Sequence, residues 1–217
     1  MSATVTVTAP RILLSDDHEI VRKGLRQMLA EAFPGAVFGE ASNAAEAVGK
    51  ARESDWDVAV LDISLPDRSG LEALSEIRKM RPKLPVVVLS MYAEEQFAIR
   101  AMRAGAAGYV TKRKAAGEIV TAVKKALAGG RYLTPSLAAK LGSEIGLDAA
   151  QVPHQRLSNR EFEVFLLLAS GRTVKSIAEQ LHVSVQTVST HRTRLLEKMK
   201  MKTNADLTGY AVLERLL

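Results

Sequence analysis

Five polar residues in the first half of the chain stand where they could do chemistry together. Asp16 and Asp17 follow the apolar run Ile12-Leu13-Leu14, and Asp62 follows Val58-Ala59-Val60-Leu61. Ser90 follows Pro85-Val86-Val87-Val88-Leu89, and Lys112 comes just after Ala107–Val110. Each apolar run reads as a short buried strand, so each polar residue marks a strand's C-terminal end. If the first and third strands are neighbours, three carboxylates meet in one pocket. Like charges so close raise one another's pKa, and a hard divalent cation with oxygen ligands, Mg²⁺ for preference, relieves them. Ser90 is a hydroxyl donor, and Lys112 is a compact cation suited to a phosphoryl oxygen or to Asp62. The set reads as phosphoryl transfer to a carboxylate: Asp62 the nucleophile, with the metal, Lys112 and Ser90 holding the transferring oxygens. A loop acid or lysine taken alone is ordinary solvated surface; their coincidence at successive strand ends carries the reading.

Convergence of that kind needs a particular scaffold, and the pattern supplies it. Helical periodicity over Glu19–Phe33 follows the first strand, and Ala36–Glu40 is a weaker strand. Asn43, with Glu46 three residues on, opens a second helix as a capping box. Helices over Gly70–Met80, Glu94–Arg103 and Ala115–Ala128 follow the third, fourth and fifth strands, the last ended by Gly129-Gly130. Five such βα units predict an α/β fold: a five-stranded open parallel sheet, flavodoxin-like, helices on both faces and chemistry at the C-terminal strand ends. This unit spans 10–130.

Over 131–156 the alternation stops. Pro135, Gly142, Gly146 and Pro153 punctuate a segment with at most one short helix, near Ser136–Leu141, which reads as a linker. From 157 to 217 the chain is all helix. Ser158 with Glu161 forms a second capping box, Thr173 can cap Val174–Leu181, Ser184 can cap Val185–Met199, and a fourth helix covers Asn204–Leu216. Ile177, Ala178, Leu181, Val183, Val188 and Leu195 are spaced to pack the middle two helices in helix-turn-helix fashion. Ser189, Thr190, Arg192, Thr193 and Arg194 form the outward face of the second of these, short polar groups and arginines that suit a major groove. Residues 157–217 carry nine basic against six acidic residues, and Arg192–Lys202 five against one. A polyanion is therefore a plausible partner. A solvated helical bundle that docks on protein is the alternative.

Composition narrows the classes. The chain has 217 residues, 47% of them hydrophobic and 25% charged, which excludes collagen, coiled coil and wholesale disorder. It contains no cysteine, so thiolate metal sites, disulfides and thiol nucleophiles are out. Met1–Pro10 lacks the basic start and apolar core of a secretory signal, and no apolar run approaches the roughly 20 residues of a membrane span. A soluble, cytoplasmic protein is expected. Neither a Walker-type lysine loop nor GxGxxG is present, which leaves nucleotide binding unsupported.

Leu14-Ser-Asp-Asp-His18, Leu61-Asp-Ile-Ser-Leu-Pro-Asp-Arg-Ser-Gly-Leu71, Val88-Leu-Ser90 and Gly105-Ala-Ala-Gly-Tyr-Val-Thr-Lys112 together resemble a response-regulator receiver domain. The resemblance implies that Asp62 accepts a phosphoryl group from a sensor histidine kinase. It also implies Mg²⁺ held by Asp16, Asp17, Asp62 and the backbone carbonyl of Ser64. Ser90 would move toward the phosphoryl group, and Tyr109 would swing inward as a switch aromatic. Many receivers carry proline after the lysine, often with a cis bond; Arg113 stands there in this chain. Leu157-Ser-Asn-Arg-Glu161, Ala178-Glu-Gln-Leu181 and Thr187-Val-Ser-Thr-His191 are similar to the LuxR-type (GerE-like) DNA-binding domain. That likeness implies that Ser189, Thr190 and Thr193 face bases, while Thr187, His191, Arg194 and Lys198 face the DNA backbone or support the fold. Relatives often have lysine at the Ser189 or Thr193 position, which weakens the case for guanine reading.

A receiver joined to a LuxR-type domain is the layout of the NarL/FixJ subfamily of bacterial response regulators. The resemblance implies a phosphorylation-controlled transcription factor that binds promoter DNA, forms a homodimer when phosphorylated, and is no enzyme beyond gain and loss of its own phosphoryl group. Two rivals share some of these residues. One is a phosphorylation-independent DNA-binding protein whose receiver is a dimerisation scaffold; the intact acid set argues against it. The other is an aspartyl-phosphate phosphatase of the haloacid-dehalogenase type, which needs a second acid two residues after the nucleophile, where Ser64 stands.

Overall fold

The computed structural model describes residues 9–143 and 152–217; within the expected linker, Gly146 lies outside them. Strands β1 (Arg11–Ser15), β2 (Val37–Ala41), β3 (Val58–Asp62), β4 (Val86–Ser90) and β5 (Gly108–Thr111) form one parallel sheet in the order β2-β1-β3-β4-β5. Between and after them run α1 (Glu19–Ala32), α2 (Ala44–Glu53), α3 (Gly70–Met80), α4 (Glu94–Arg103) and α5 (Ala115–Leu127). Every residue of β3 and β4 is buried, as continuous apolar strands covered on both faces must be. Alternate residues serve opposite faces. Leu13, Ala59 and Val88 pack toward α2–α4, while Ile12, Val60 and Val87 pack toward Leu25, Leu29 and Ile119 of α1 and α5.

The sheet order decides the site. Because β1 pairs with β3 in the register Ser15↔Leu61, Asp16 and Asp62 leave adjacent strands side by side. Directly after Asp62 the chain must fold back closely. The Gly70 N–H donates to the Ile63 carbonyl at 2.7 Å, and a Cβ at Gly70 would lie 1.8 Å from the Asp62 carbonyl oxygen. Only glycine permits that approach. The cap of α2 differs in detail from the expected box: Asn43 accepts from the Glu46 N–H, but the Glu46 carboxylate accepts from Ser42 N and from the Asn43 side-chain amide, both at 2.8 Å, rather than from the Asn43 backbone N–H.

Part of the segment read as a linker is packed structure. Tyr132 N donates to Ala107 O at 2.7 Å beside β5, and Thr134 caps α6 (Pro135–Ser143) while donating to Glu94 at 2.6 Å. Leu137 of α6 is buried.

The C-terminal half comprises α7 (Asn159–Ala169), α8 (Val174–Gln180), α9 (Val185–Met199) and α10 (Asn204–Leu213). Ser158 and Glu161 form the expected capping box, Thr173 accepts from Ser176 N, and Ser184 accepts from Thr187 N. His182, in the turn between α8 and α9, has φ of 51°, and Lys200 ends α9 with φ of 56°. Ile177, Ala178, Leu181, Val188 and Leu195 are buried between the helices, with Val183 partly so. Unlike a surface helix, α7 is buried from Arg160 through Ala169 on all sides. Its neighbours therefore include more than its own bundle.

Candidate functional site

The carboxylates meet as the strand ends require. Asp16 and Asp62 are buried, and the Lys112 ammonium lies 2.6 Å from an oxygen of each. The second Asp62 oxygen accepts from Ser64 N at 3.2 Å. Asp17 lies nearer the surface, where the His18 ring nitrogen Nδ1 is 2.6 Å from it, and His18 N donates to Asp16 at 3.0 Å. Burial pushes the Asp62 carboxyl up to about 6, with Lys112 opposing the shift and Asp16 adding to it. Burial pulls Lys112 down, but the two carboxylates outweigh it and leave the amine above its ordinary value.

Asp16 Oδ2 is buried and faces the Lys112 ammonium at 2.6 Å. Ligand atoms of Asp16, Asp17 and His18 lie within 4.8 Å of one another. The carboxylates of Asp16 and Asp17 beside the buried Asp62 make an acid-rich set that fits a hard cation.

Ser90 and Tyr109 sit behind this pocket. Ser90 is fully buried and its hydroxyl accepts from Tyr92 N at 3.1 Å. The Tyr109 ring already lies inward, buried, with its hydroxyl donating to the Tyr92 carbonyl at 2.8 Å. Burial above all raises its pKa. All described peptide bonds are trans, the one between Lys112 and Arg113 included.

What sequence reasoning missed is that the C-terminal half lies directly against this pocket. The buried Glu163 carboxylate of α7 accepts hydrogen bonds from Ser64 Oγ and Tyr92 OH, both at 3.0 Å, and from Arg160 at 2.7 Å. Burial, then the neighbouring Glu163 charge, raises Tyr92 well above an ordinary tyrosine. His182 Nε2 stands 3.7 Å from Asp17 Oδ2. Phe97 of α4 meets Phe162 edge-on at 5.1 Å between centroids, and the Arg100 guanidinium stacks 4.0 Å over the same Phe162 ring. Arg100 also donates to the carbonyls of Leu157 and His154. Gln96 donates to Leu216 O at 2.7 Å. His154 bonds Tyr210 OH at 2.8 Å, and burial, helped by Arg100, holds its imidazole down at about 4.

The face of α9 remains open in this closed arrangement. Thr190, Thr193 and Arg194 are exposed, and Ser189 and Thr187 half-buried. The hydroxyls of Ser189, Thr190 and Thr193 donate to carbonyls one turn back, leaving their lone pairs outward. Thr187 Oγ1 pairs with Ser184 at 2.8 Å. Arg192, expected on the outward face, instead turns to Asn204 at the start of α10, 2.8 Å away, and supports the bundle. His191 is half-buried with Nδ1 enclosed, and burial lowers its pKa. Lys198 reaches the capping carboxylate of Glu161 at 2.6 Å, which ties it to the fold.

A doubly covered parallel sheet with this acid pocket, followed by a capped helix-turn-helix bundle, defines a receiver joined to a DNA-binding domain. Comparison with known proteins agrees: residues 12–124 match the response regulator receiver domain, and residues 155–211 match the bacterial regulatory proteins of the luxR family. The chain is 35% identical to response regulator GacA of Pseudomonas protegens, over 93% of this chain and 95% of that protein. It is also 35% identical to response regulator UvrY of Escherichia coli K12, over 93% of each. Among solved structures, a LuxR-family two-component response regulator from Aurantimonas sp. SI85-9A1 is 39% identical, with a TM-score of 0.57, covering 64% of this chain and 99% of that one. RcsB from Salmonella enterica serovar Typhimurium, bound to the promoter rprA with phosphomimetic BeF3⁻, is 25% identical with a TM-score of 0.59, covering 93% and 97%. The chain belongs to the two-component response regulators with a LuxR-type DNA-binding domain, the NarL/FixJ type. Among the described residues, no helix is long and apolar enough to cross a membrane.

Proposed function

We propose that this response regulator takes a phosphoryl group on Asp62 from a sensor histidine kinase and answers by releasing its DNA-binding half to a promoter. The Asp62–Lys112–Asp16 pocket carries the reading. In the step itself an Asp62 oxygen attacks phosphorus, the P–N bond to the kinase imidazole breaks, and the imidazole keeps the electron pair. Asp16, Asp17, Asp62 and the Ser64 carbonyl would hold Mg²⁺, which neutralises the phosphoryl oxygens when bound. Lys112 leaves the Asp62 oxygen it holds and meets the phosphoryl oxygens, and the Ser90 hydroxyl, which accepts from Tyr92 N, turns its proton to them. With Ser64 two residues past Asp62, the pocket lacks the second acid that a haloacid-dehalogenase-type phosphatase needs.

On the DNA side, Ser189, Thr190 and Thr193 face bases, while Thr187 and Arg194 lie toward phosphates. His191 and Lys198 chiefly hold the helix in place, each being engaged with the bundle. In the closed arrangement Asp17 stands beside the turn before α9, putting negative charge near the helix end that attracts DNA phosphates. Phosphorylation shifts the population away from that arrangement, and the freed halves pair as a homodimer in the cytoplasm.

Intact mass after incubation with a small phosphodonor and Mg²⁺ tests the first half of this reading. The wild type gains one phosphoryl group and Asp62→Asn gains none. A wild type that gains none would leave the receiver as a dimerisation scaffold.

A further inference from the structure

Glu163 joins the two halves at one atom. Its Oε1 accepts from Ser64 and from Tyr92, which belong to the loops after β3 and after β4, while Oε2 accepts from Arg160. Those loops flank Asp62 and Ser90, the groups the phosphoryl group would meet. Ser64 sits two residues past Asp62 and holds it through its N–H. Tyr92 sits two residues past Ser90, donates its N–H to the Ser90 hydroxyl, and accepts from Tyr109 through its carbonyl. One carboxylate of the DNA-binding half thus bonds two receiver residues and, through Tyr92, reaches Ser90 and Tyr109.

We propose that Glu163 is a positioning residue for the phosphorylation site: from the other domain, it holds the loops after β3 and β4 in their unphosphorylated arrangement and slows phosphoryl gain. The inference rests on Asp62 being the acceptor and adds to it the residue that couples the halves. The physics favours a switch over a permanent clasp. A carboxylate buried with three donors is stable, yet on separation water replaces two of them, so little is lost by opening. Arg160, which also donates to Leu181 O at 2.8 Å, stays with Glu163 and leads to the turn between α8 and α9. Coupling is reciprocal. If phosphorylation loosens this contact, loosening the contact must favour the phosphorylated form by the same factor.

The test uses the full chain and two variants approaching the contact from opposite sides. Ser64→Ala with Tyr92→Phe removes the receiver donors and leaves Glu163–Arg160 intact; Glu163→Gln removes the charge and leaves the receiver untouched. Phosphoryl gain from acetyl phosphate with Mg²⁺, followed by intact mass, should be about tenfold faster in both, as expected when a closed state that leaves about a tenth of the chain open is removed. Both should also lower energy transfer between dyes on the two halves before any donor is added. If Glu163→Gln does not fold, Glu163→Asp, one methylene shorter and still charged, replaces it. Wild-type rates in the Glu163 variant, with faster gain only in the receiver variant, would show the hydroxyls acting within the receiver and overturn the assignment. Wild-type rates in both would overturn it outright. No gain in any protein would instead remove the Asp62 reading on which it rests.

Discussion

The two functional regions of this molecule are built on opposite plans. In the receiver, the reacting groups are buried and already bonded to one another: Lys112 spans Asp16 and Asp62, and Ser90 and Tyr109 are tied to the loop at Tyr92. On α9, Thr190, Thr193 and Arg194 are exposed, and the hydroxyls are satisfied by their own helix. A buried, pre-paired site responds to a new charge by redistributing partners, so it can move its surroundings. An exposed face changes nothing on binding but its solvent, so it can only recognise. Signal reception and DNA reading therefore load stability very differently.

The sharpest way to break that contrast is Lys112→Ala. Removing the one cation from two buried carboxylates leaves them uncompensated, and the receiver should lose about 3 kcal/mol in denaturant unfolding. A loss below about 0.5 kcal/mol would mean the pocket is not pre-loaded. The opposite outcome is expected on α9. Thr190→Ala and Arg194→Ala should leave stability within about 0.5 kcal/mol. On DNA, Thr190→Ala should relax base preference, and Arg194→Ala should reduce the salt slope by about 1. Lys198→Ala, because it breaks the Glu161 pair, should cost stability more than it alters the slope. Equal effects of all three on every duplex would contradict the division of α9 into reading and supporting sides.

A smaller effect belongs to the seam. His154 is held neutral between Arg100, Phe162 and Tyr210, with its pKa depressed to about 4 from an ordinary 6.5. Opening removes Arg100 and the receiver's share of the burial, so between those values the opened chain binds more proton than the closed one and stability of the contact rises with pH. Lowering pH from 7 to 5 should loosen the halves in the wild type and less in His154→Phe, read as energy transfer between them.

The acid pocket was legible because its signal is local. A polar residue ending an apolar strand declares itself, and parallel order fixes its neighbours; the ends of α3, α4 and α9 follow the periodicity to the residue. The contact between the halves was not legible, because Ser64, Tyr92, Arg100, Phe162 and Glu163 come from four separated segments, each with an ordinary local role. One trace was present: Glu163 is a charge inside an apolar stretch that α7 buries all round, the mark of a helix covered on two sides. Arg192 was misplaced for a simpler reason. It shares the helical stripe of Ser189, three residues before it, but its long side chain bends to Asn204 at the start of α10. Periodicity places Cα atoms, not the tips of arginines.

The central claim is that charge on Asp62 separates the two halves. The chain has no cysteine, so cysteines introduced at exposed Glu53 and Lys175 give a donor and acceptor dye on opposite halves. Adding phosphodonor and Mg²⁺ should lower energy transfer in the wild type in step with phosphoryl gain, and leave it unchanged in Asp62→Asn. Constant transfer in a wild type that has demonstrably gained its phosphoryl group would contradict the account.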